Sequence, residues 1–443
     1  MSDYQENLNW LFQRHRFGMT RTLDTTRKLL AFFGNPQDQI PAVHVAGTNG
    51  KGSTCAIVSS ILQVPGLRTG LYTSPHLVDW RERIRIDGVL VSEDLVATLL
   101  VSIRPLADSL QATFFEVTTA LAFQVFRELR CDFNVIETGL GGTWDCTNVL
   151  HPVVAHLTRI DLDHTEILGN TRIEIARDKS GIWKPTSFAT ASKQTAPVEK
   201  YLKTRWQERK AKSLRLASET VKVTERKVIA PGSSVHSGQF VTVHPISDEA
   251  ISELQNLPPL YLPLLGKHQL ENLAGVFCIL LGLREAGYKI EDEAIVDGLK
   301  SIAWDSRMQV HGTSPLTISD AAHNPAGAKA LVKTLLEKYP LAPPSRYRIV
   351  LSLLAEKDID GYLSELAQLN PIVYATTLEG SRGRSGTEIA HFCTKHGLEA
   401  TAHSNPKDAL SSAYNACYDQ DTLVITGSHY LLGALLDVIS GNK

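Results

Sequence analysis

The chain has 443 residues, of which 43% are hydrophobic and 21% charged, and its formal net charge at pH 7 is -2. A chain of this length exceeds the size at which one core stops growing, so two domains are expected. The near-neutral charge gives no reason to expect nucleic acid or an anionic membrane as a partner and favours a small molecule.

Three further features point to a reduced, cytoplasmic protein. The six cysteines are widely spread and form no C-x-x-C pair, so we expect free thiols. Residues 1–16 lack the apolar stretch of a signal peptide. The longest apolar run, residues 273–283, is too short to cross a bilayer.

The first informative stretch is an apolar run, residues 42–46, that turns through glycines into a helix predicted over Thr54 to Gln63. Glycines let backbone N–H groups close around phosphate oxygens, and the helix N-terminus adds its positive dipole end. We therefore predict a variant phosphate loop for a nucleotide, in which Lys51 supplies a cation and Ser53 faces magnesium. The loop comprises Gly47, Thr48, Asn49, Gly50, Lys51, Gly52 and Ser53.

The segments after this loop alternate between strand and helix. A short strand, Thr69 to Thr73, ends just before Ser74, and its carboxyl end is expected beside the phosphate loop. Residues 83–88 alternate polar and apolar and then turn, so they predict a hairpin outside the core. Helices are predicted over 92–110 and 116–130, with Ser92 as the N-cap of the first.

Two further strands end in candidate ligands. Residues 132–136 form a buried type of strand that leads into Glu137 and a glycine run. Glu137 is either a magnesium ligand or a carboxylate that caps the following turn. The strand over 153–158 leads to His164, which is either a metal ligand or a core histidine. Lys179, taken alone, is typical of a solvated helix lysine.

The second half shows the same alternation at smaller scale. Residues 205–255 are rich in Lys and Arg and then alternate, which predicts an antiparallel β insertion without an assigned role. Long helices over 268–286 and 292–301 close the first domain. We therefore predict an α/β protein with a P-loop parallel-sheet ATPase domain, residues 1–302, followed by a smaller Rossmann-like α/β domain, residues 303–443.

The smaller domain carries one conspicuous motif, Asp-Ala-Ala-His-Asn-Pro over residues 320–325. A strand that ends in Asp320, with His323 before a helix-starting proline, is typical of a turn that faces a ligand. The alternative is a capped helix entry.

Taken together, these motifs resemble one family, folylpolyglutamate synthase/dihydrofolate synthase of the Mur ligase superfamily. The resemblance runs in order from about residue 17 to the last strand. It rests on residues 47–53, 73–77, 137–142, 163–164 with 168–169, 179–182 and 320–325.

The resemblance implies an ATP-dependent amide ligase that adds L-glutamate to dihydropteroate, to reduced folates, or to both through an acyl phosphate. It implies two Mg²⁺ sites, one held by Ser74 and Glu137 with Ser53, the other by His164 and a carbamylated Lys179. It further implies nucleotide contacts from Asn272, Arg307 and Asp320, and a contact from His323 to the acyl phosphate. A monomer is expected.

Three positions depart from the family pattern. Thr143 stands where an arginine usually follows the glycine run, Asp305-Ser306 replaces the Pro-Gly before Arg307, and Ala321 replaces a glycine. None of these changes removes an expected metal or phosphate ligand.

Two other functions stay open at this stage. One is a Mur-type ligase on a cell-wall precursor, which the inserted Gly52 and the lack of a separate UDP-binding domain disfavour. The other is a nucleotide-binding protein without turnover, which the full set of expected metal ligands disfavours.

Overall fold

The computed structural model describes residues 3–14, 21–226, 238–378 and 383–439. The start of the family resemblance, near residue 17, and part of the predicted β insertion lie outside these ranges. The chain divides into two compact units. The first comprises Met1–Thr224, Val241–Leu260 and Glu271–Ile302, and the second Glu225–Phe240, Tyr261–Leu270 and Ala303–Lys443.

The first unit is built on an eight-stranded sheet with the order β4-β3-β2-β5-β1-β6-β7-β8. Strands β2, β5, β1, β6, β7 and β8 run parallel, and β3 and β4 pair antiparallel at one edge. The strands are β1 (Ala42–Ala46), β2 (Thr69–Tyr72), β3 (Ile84–Ile86), β4 (Val89–Leu90), β5 (Phe133–Glu137), β6 (Val154–Leu157), β7 (Phe188–Ala191) and β8 (Leu214–Leu216).

Helices alternate with these strands, as a doubly wound sheet requires. They are α1 (Asp3–Gln13), α2 (Asp24–Phe32), α3 (Lys51–Gln63), α4 (Glu93–Ser109), α5 (Phe114–Glu128), α6 (Thr165–Leu168), α7 (Arg172–Lys179), α8 (Ala196–Arg209), α9 (Ala217–Thr220), α10 (Asp248–Leu254), α11 (Lys267–Glu285) and α12 (Asp292–Lys300). Two apolar clusters form the core, one containing Leu100 and Phe126 with Ile136, the other Ile175 and Leu202 with Leu157.

The second unit has a six-stranded sheet with the order β12-β13-β17-β14-β15-β16, parallel except for β12. Its elements are β12 (Gln309–Thr313), β13 (Leu316–Asp320), α13 (Pro325–Lys338), β14 (Tyr347–Leu351), α14 (Ile359–Leu366), β15 (Ile372–Thr376), α15 (Gly386–Lys395), β16 (Glu399–His403), α16 (Pro406–Ala416), β17 (Thr422–Thr426) and α17 (His429–Ile439). The α/β class and the two parallel sheets predicted from the sequence are therefore confirmed.

Several local predictions are confirmed and others need correction. Ser92 caps α4, since its hydroxyl oxygen accepts the Leu95 N–H at 3.3 Å. Helix α3 begins at Lys51, three residues before the predicted start, because Gly50 takes a left-handed φ of 90° and ends the loop there. The hairpin of β3 and β4 exists, but it extends the main sheet, and Ile84 and Ile86 are buried.

The prediction for residues 205–255 was only partly right. Helix α8 extends to Arg209, and β8 joins the main sheet beside β7. Strand β8 was not predicted because three residues are too few to show the alternation of a strand. Part of the segment rich in Lys and Arg belongs to helix α8, not to a β insertion. Strands β9 (Val221–Glu225), β10 (Gln239–Pro245) and β11 (Leu260–Leu262) form a separate small sheet in the order β11-β10-β9.

Across the four described ranges, no helix has the length and apolar character needed to cross a bilayer.

Candidate active site

Four neighbouring parallel strands of the first sheet end at one edge, and each leads into a candidate segment. Strand β1 precedes the phosphate loop, β2 precedes Ser74, β5 ends in Glu137, and β6 leads towards His164. The carboxyl ends of adjacent parallel strands meet at one edge, which is where open α/β sheets bind ligands. The structure thus brings these segments together as predicted.

The phosphate loop is anchored from behind by the segment after β6. The N–H groups of Thr48 and Asn49 both donate to the carbonyl oxygen of Arg159, at 3.0 and 3.3 Å. The Thr48 hydroxyl also exchanges two hydrogen bonds of 3.0 Å with the backbone of Asp161. These two loop amides therefore hold the loop in place.

The amides suited to a phosphate belong to the first turn of α3. The first N–H groups of an α-helix point out of its N-terminus, and in α3 these are the N–H groups of Lys51, Gly52 and Ser53. Together with the helix dipole they form an anion-binding end. The contribution of the other loop residues to phosphate binding stays a prediction.

Two glycines of the loop are required by close neighbours. A Cβ on Gly47 would come within 1.8 Å of the Thr158 hydroxyl oxygen, and one on Gly50 within 2.3 Å of Asn272 Oδ1. Asn272 is buried and lies in the first half of α11. The structure therefore places Asn272 against the phosphate loop.

Glu137 lies between the two neighbouring candidates, Ser74 and Lys51. Its Oε2 accepts the Ser74 N–H at 3.0 Å, and its Oε1 lies 3.9 Å from Lys51 Nζ. Lys51 Nζ also donates to the Thr48 carbonyl oxygen at 3.3 Å. Glu137 itself is buried, at 4% exposure. A buried carboxylate beside a lysine and a hydroxyl-bearing residue is suited to holding a cation and phosphate oxygens.

The alternative role of Glu137, a cap for the following turn, belongs to another residue. Asp145 Oδ2 accepts the N–H groups of Gly139 and Leu140, both at 2.9 Å, and Asp145 Oδ1 accepts the Thr147 N–H at 3.0 Å. Sequence reasoning missed Asp145. An aspartate two residues before a threonine, in a turn that follows a glycine run, was the available signal.

Lys179 is buried at 4% exposure, which excludes the solvated helix lysine that the residue taken alone suggests. It is the last residue of α7. Burial, reinforced by the charge of Lys51, lowers the pKa of Lys179 to about 7, although nearby aspartates, among them Asp163, oppose the shift. An amine with such a pKa is about half neutral at pH 7, and its neutral form is a nucleophile.

His164 lies at the entry to α6 with a left-handed φ of 50°. Its side chain is 37% exposed, which excludes a core histidine, and its Nε2 lies 3.9 Å from Asp163 Oδ1. Since Asp163 is also an electrostatic neighbour of Lys179, the segment after β6 reaches the surroundings of that lysine.

In the second unit, the turn after β13 is held by backbone groups. Asp320 Oδ1 accepts the Ala322 N–H at 2.9 Å, and Oδ2 accepts the Met308 N–H at 3.0 Å. Burial raises the pKa of Asp320, and Arg307 opposes that shift. Asn324 caps α13 by accepting the Gly327 N–H at 2.8 Å. The capped helix entry and the buried aspartate thus coexist.

His323 belongs to the same turn. Its Nδ1 lies 2.9 Å from the Ala321 carbonyl oxygen, and its ring centroid is 5.7 Å from that of His429.

The residues of the first sheet edge fit magnesium. Within the ranges that the structure describes, no group of three or more His, Cys, Asp and Glu side chains forms a protein-only metal cage. Magnesium is usually held by one or two carboxylates together with substrate phosphates and waters. One buried carboxylate, Glu137, next to a phosphate-binding helix end meets that requirement.

Comparisons with known proteins agree with this geometry. The Mur ligase middle domain matches residues 45–280, and the Mur ligase glutamate ligase domain matches residues 306–429. Folylpolyglutamate synthase of Lacticaseibacillus casei is 30% identical, and the match covers 100% of both chains.

Solved structures are similar over nearly the whole chain. E. coli FolC in complex with DHPP and ADP superposes with a TM-score of 0.82 at 28% identity, covering 98% of both chains. A bifunctional folylpolyglutamate synthase/dihydrofolate synthase with Mn, AMPPNP and L-glutamate bound gives 0.81 at 28% identity over 98% of both chains. The chain belongs to the folylpolyglutamate synthase/dihydrofolate synthase family of Mur ligases.

Proposed function

We propose that this protein is an ATP-dependent ligase that joins L-glutamate to dihydropteroate, to reduced folates, or to both. An oxygen of the acceptor carboxylate attacks the γ-phosphorus of ATP, which forms an acyl phosphate and releases ADP. The amino nitrogen of L-glutamate then attacks the acyl carbon, phosphate leaves, and the nitrogen loses a proton to give the amide. The observation that carries this proposal is the group of Lys51, Ser74 and Glu137 at adjoining strand ends.

In this proposal the loop and its neighbours position the phosphates. The first-turn amides of α3 and the Lys51 ammonium hold phosphate oxygens, and Asn272 lies beside the loop to contact the nucleotide. Glu137, Ser74 and Ser53 would hold the first Mg²⁺, and the metal supplies charge neutralisation on the phosphates when it is bound. Phosphoryl transfer needs positioning and charge compensation more than covalent help.

We assign Lys179 to a carbamate. Its neutral amine adds CO₂, so that a C–N bond forms, one proton is released, and the side chain becomes an anionic oxygen ligand. Burial supports this chemistry because it lowers the pKa of Lys179 to about 7, so that about half of the amine is neutral at pH 7. Together with His164, the carbamate would hold the second Mg²⁺.

The roles of the second unit rest on the family resemblance. Arg307 and Asp320 are assigned to the nucleotide and His323 to the acyl phosphate. The Asp320 carboxylate already accepts two backbone N–H groups, so in this proposal it also fixes the turn that presents His323.

The direct test is release of ADP by the purified protein with magnesium, ATP and L-glutamate, with either dihydropteroate or a reduced folate as acceptor. Turnover with both acceptors indicates a bifunctional synthase, and turnover with one assigns the protein to that reaction. Reactions without glutamate or without acceptor measure background ATP hydrolysis. No turnover with either acceptor above that background would contradict the proposal.

A further inference from the structure

The turn that follows Glu137 is joined to the end of α7 by hydrogen bonds that the reaction does not itself use. The Gly142 N–H donates to Asp178 Oδ2 at 2.8 Å. The Thr143 N–H donates to the Asp178 carbonyl oxygen at 3.0 Å, and the Thr143 hydroxyl donates to the same oxygen at 2.7 Å. The residue after Asp178 is Lys179.

The two segments also touch at backbone distance. A Cβ on Gly142 would come within 2.5 Å of the Lys179 carbonyl oxygen, and one on Gly181 within 2.1 Å of the Thr143 hydroxyl oxygen. Contacts therefore hold the backbone on both sides of Lys179. Backbone atoms cannot move aside as the end of a flexible side chain can, so this contact fixes where the Lys179 side chain starts.

The carbonyl oxygen of Thr143 is also held. Asn148 Nδ2 donates to the Thr143 carbonyl oxygen at 3.1 Å and to the Gly181 carbonyl oxygen at 3.3 Å. A single amide thus spans the turn and the residues after Lys179. Since β5 enters this turn directly from Glu137, a displacement of the turn would change the spacing between Glu137 and Lys179.

We propose that Thr143 is a positioning residue for Lys179. Its hydroxyl, together with the Asp178 carboxylate, fastens the turn after Glu137 to the end of α7, so that the expected ligands of the two magnesium sites keep a fixed spacing. This inference rests on the proposed function, because it takes Lys179 to carry the carbamate. Thr143, which stands where the family usually has an arginine, would thus have a specific structural role.

The test compares Thr143→Val, which removes the hydroxyl at nearly constant size, with Thr143→Ser, which keeps it. The first readout is the ¹³C NMR signal of the carbamate in full-length protein with Mg²⁺ and ¹³C-labelled bicarbonate, without nucleotide or acceptor. The second is kcat and the KM for ATP in the ADP-release assay.

We expect Thr143→Val to raise the bicarbonate concentration for half-maximal carbamate at least about 5-fold and to lower kcat by a similar factor. The KM for ATP should stay within about 2-fold, because the phosphate loop is held independently through Thr48. Thr143→Ser should stay close to the wild type in both readouts.

Asp178 provides a second pair of variants. Asp178→Ala removes the acceptor of the Gly142 N–H. It should lower kcat and leave the KM for ATP nearly unchanged, as Thr143→Val should. Asp178→Asn keeps an acceptor for that N–H and should behave more like the wild type.

The outcomes separate this role from simple stabilisation and from the proposed function. Equal carbamate titrations for Thr143→Val and Thr143→Ser would overturn it, as would a Thr143→Val variant that only lowers Tm. A wild type that turns over without any carbamate signal would overturn this role and leave the ligase reaction in place. A wild type without turnover on either acceptor would contradict the proposed function itself.

Discussion

The two sheets end in turns that hold their buried carboxylates in different ways. At the end of β5, Glu137 accepts a backbone N–H on one oxygen and faces the Lys51 ammonium at 3.9 Å with the other. At the end of β13, both oxygens of Asp320 accept backbone N–H groups of their own unit. Burial is similar, at 4% and 7% exposure. The partners, and not the burial, differ between Glu137, which we propose as a magnesium ligand, and Asp320, which fixes a turn.

Two lysines of the first unit, Lys179 and Lys184, also differ in their partners; the first is buried and the second half-buried. Lys184 Nζ donates to the carbonyl oxygens of Asn148 and Leu150, which makes it part of the scaffold. Burial lowers the pKa of Lys179 to about 7, the charge of Lys51 adds to that shift, and three aspartates oppose it. Such a site is expected where a ligand supplies the missing compensation.

The largest effect should come from Lys179→Ala. Without the amine no carbamate forms, and we expect ligation to fall by about 10³-fold, roughly 4 kcal/mol of transition-state stabilisation. Binding of ADP, measured by calorimetry, should change little, because the phosphate loop is untouched. Lys184→Ala is the matched control and should lower Tm with little change in turnover. Near wild-type turnover in Lys179→Ala would remove the carbamate from the mechanism.

A smaller effect is expected from Glu137→Gln. The amide keeps an oxygen for the Ser74 N–H but loses the negative charge, so the Mg²⁺ concentration for half-maximal activity should rise about 10-fold to 100-fold. Titrations of activity and of bound Mn²⁺ by electron paramagnetic resonance measure this shift. Glu128→Gln, at an exposed helix end, is the control. An unchanged metal titration would contradict the role of Glu137.

The pH dependence of ligation tests the same site without a substitution. Burial lowers the pKa of Lys179 to about 7, so the amine is protonated below that pH and cannot add CO₂. Two protons leave when the carbamate forms from the protonated amine, so at a fixed concentration of dissolved CO₂ activity should fall by up to about 100-fold for each pH unit below 7 and level off where the carbamate is fully formed. Added bicarbonate should move this acid limb to lower pH. If the loss of activity at low pH does not shift with added bicarbonate, the titrating group is not Lys179.

Much of the fold could be predicted from the sequence because its strands are short apolar runs between well-marked helices. The central strands β1, β5 and β6 and the capped helix α4 fall where their patterns indicate. Strand β8 was missed because three residues show no period. The hairpin of β3 and β4 was placed outside the core because sequence alternation does not tell which sheet a strand joins.

Part of the candidate site could likewise be predicted from the sequence, and part could not. Glycines, strand ends and motif order located Glu137, Ser74 and the phosphate loop, which are brought together by neighbouring strands. The burial of Lys179 could not be predicted, because it depends on contacts with a turn some 35 residues earlier in the chain. Sequence also gave no sign that the Thr48 and Asn49 amides are used to hold the loop.

The smallest expected change in activity, and the sharpest test of the comparison, concerns Asp320. If this carboxylate mainly fixes its turn, Asp320→Asn places an NH₂ group against one of two backbone N–H donors and should cost about 1–3 kcal/mol locally. Hydrogen exchange should then rise at Met308 and Ala322, while kcat falls by less than about 10-fold. Asp358→Asn is the matched control, because Asp358 caps α14 with one oxygen and asparagine caps equally well. A loss of turnover as large as that of Lys179→Ala, without faster exchange, would show that the proposed nucleotide contact of Asp320 outweighs its part in the turn, and the contrast between the two turns would fail.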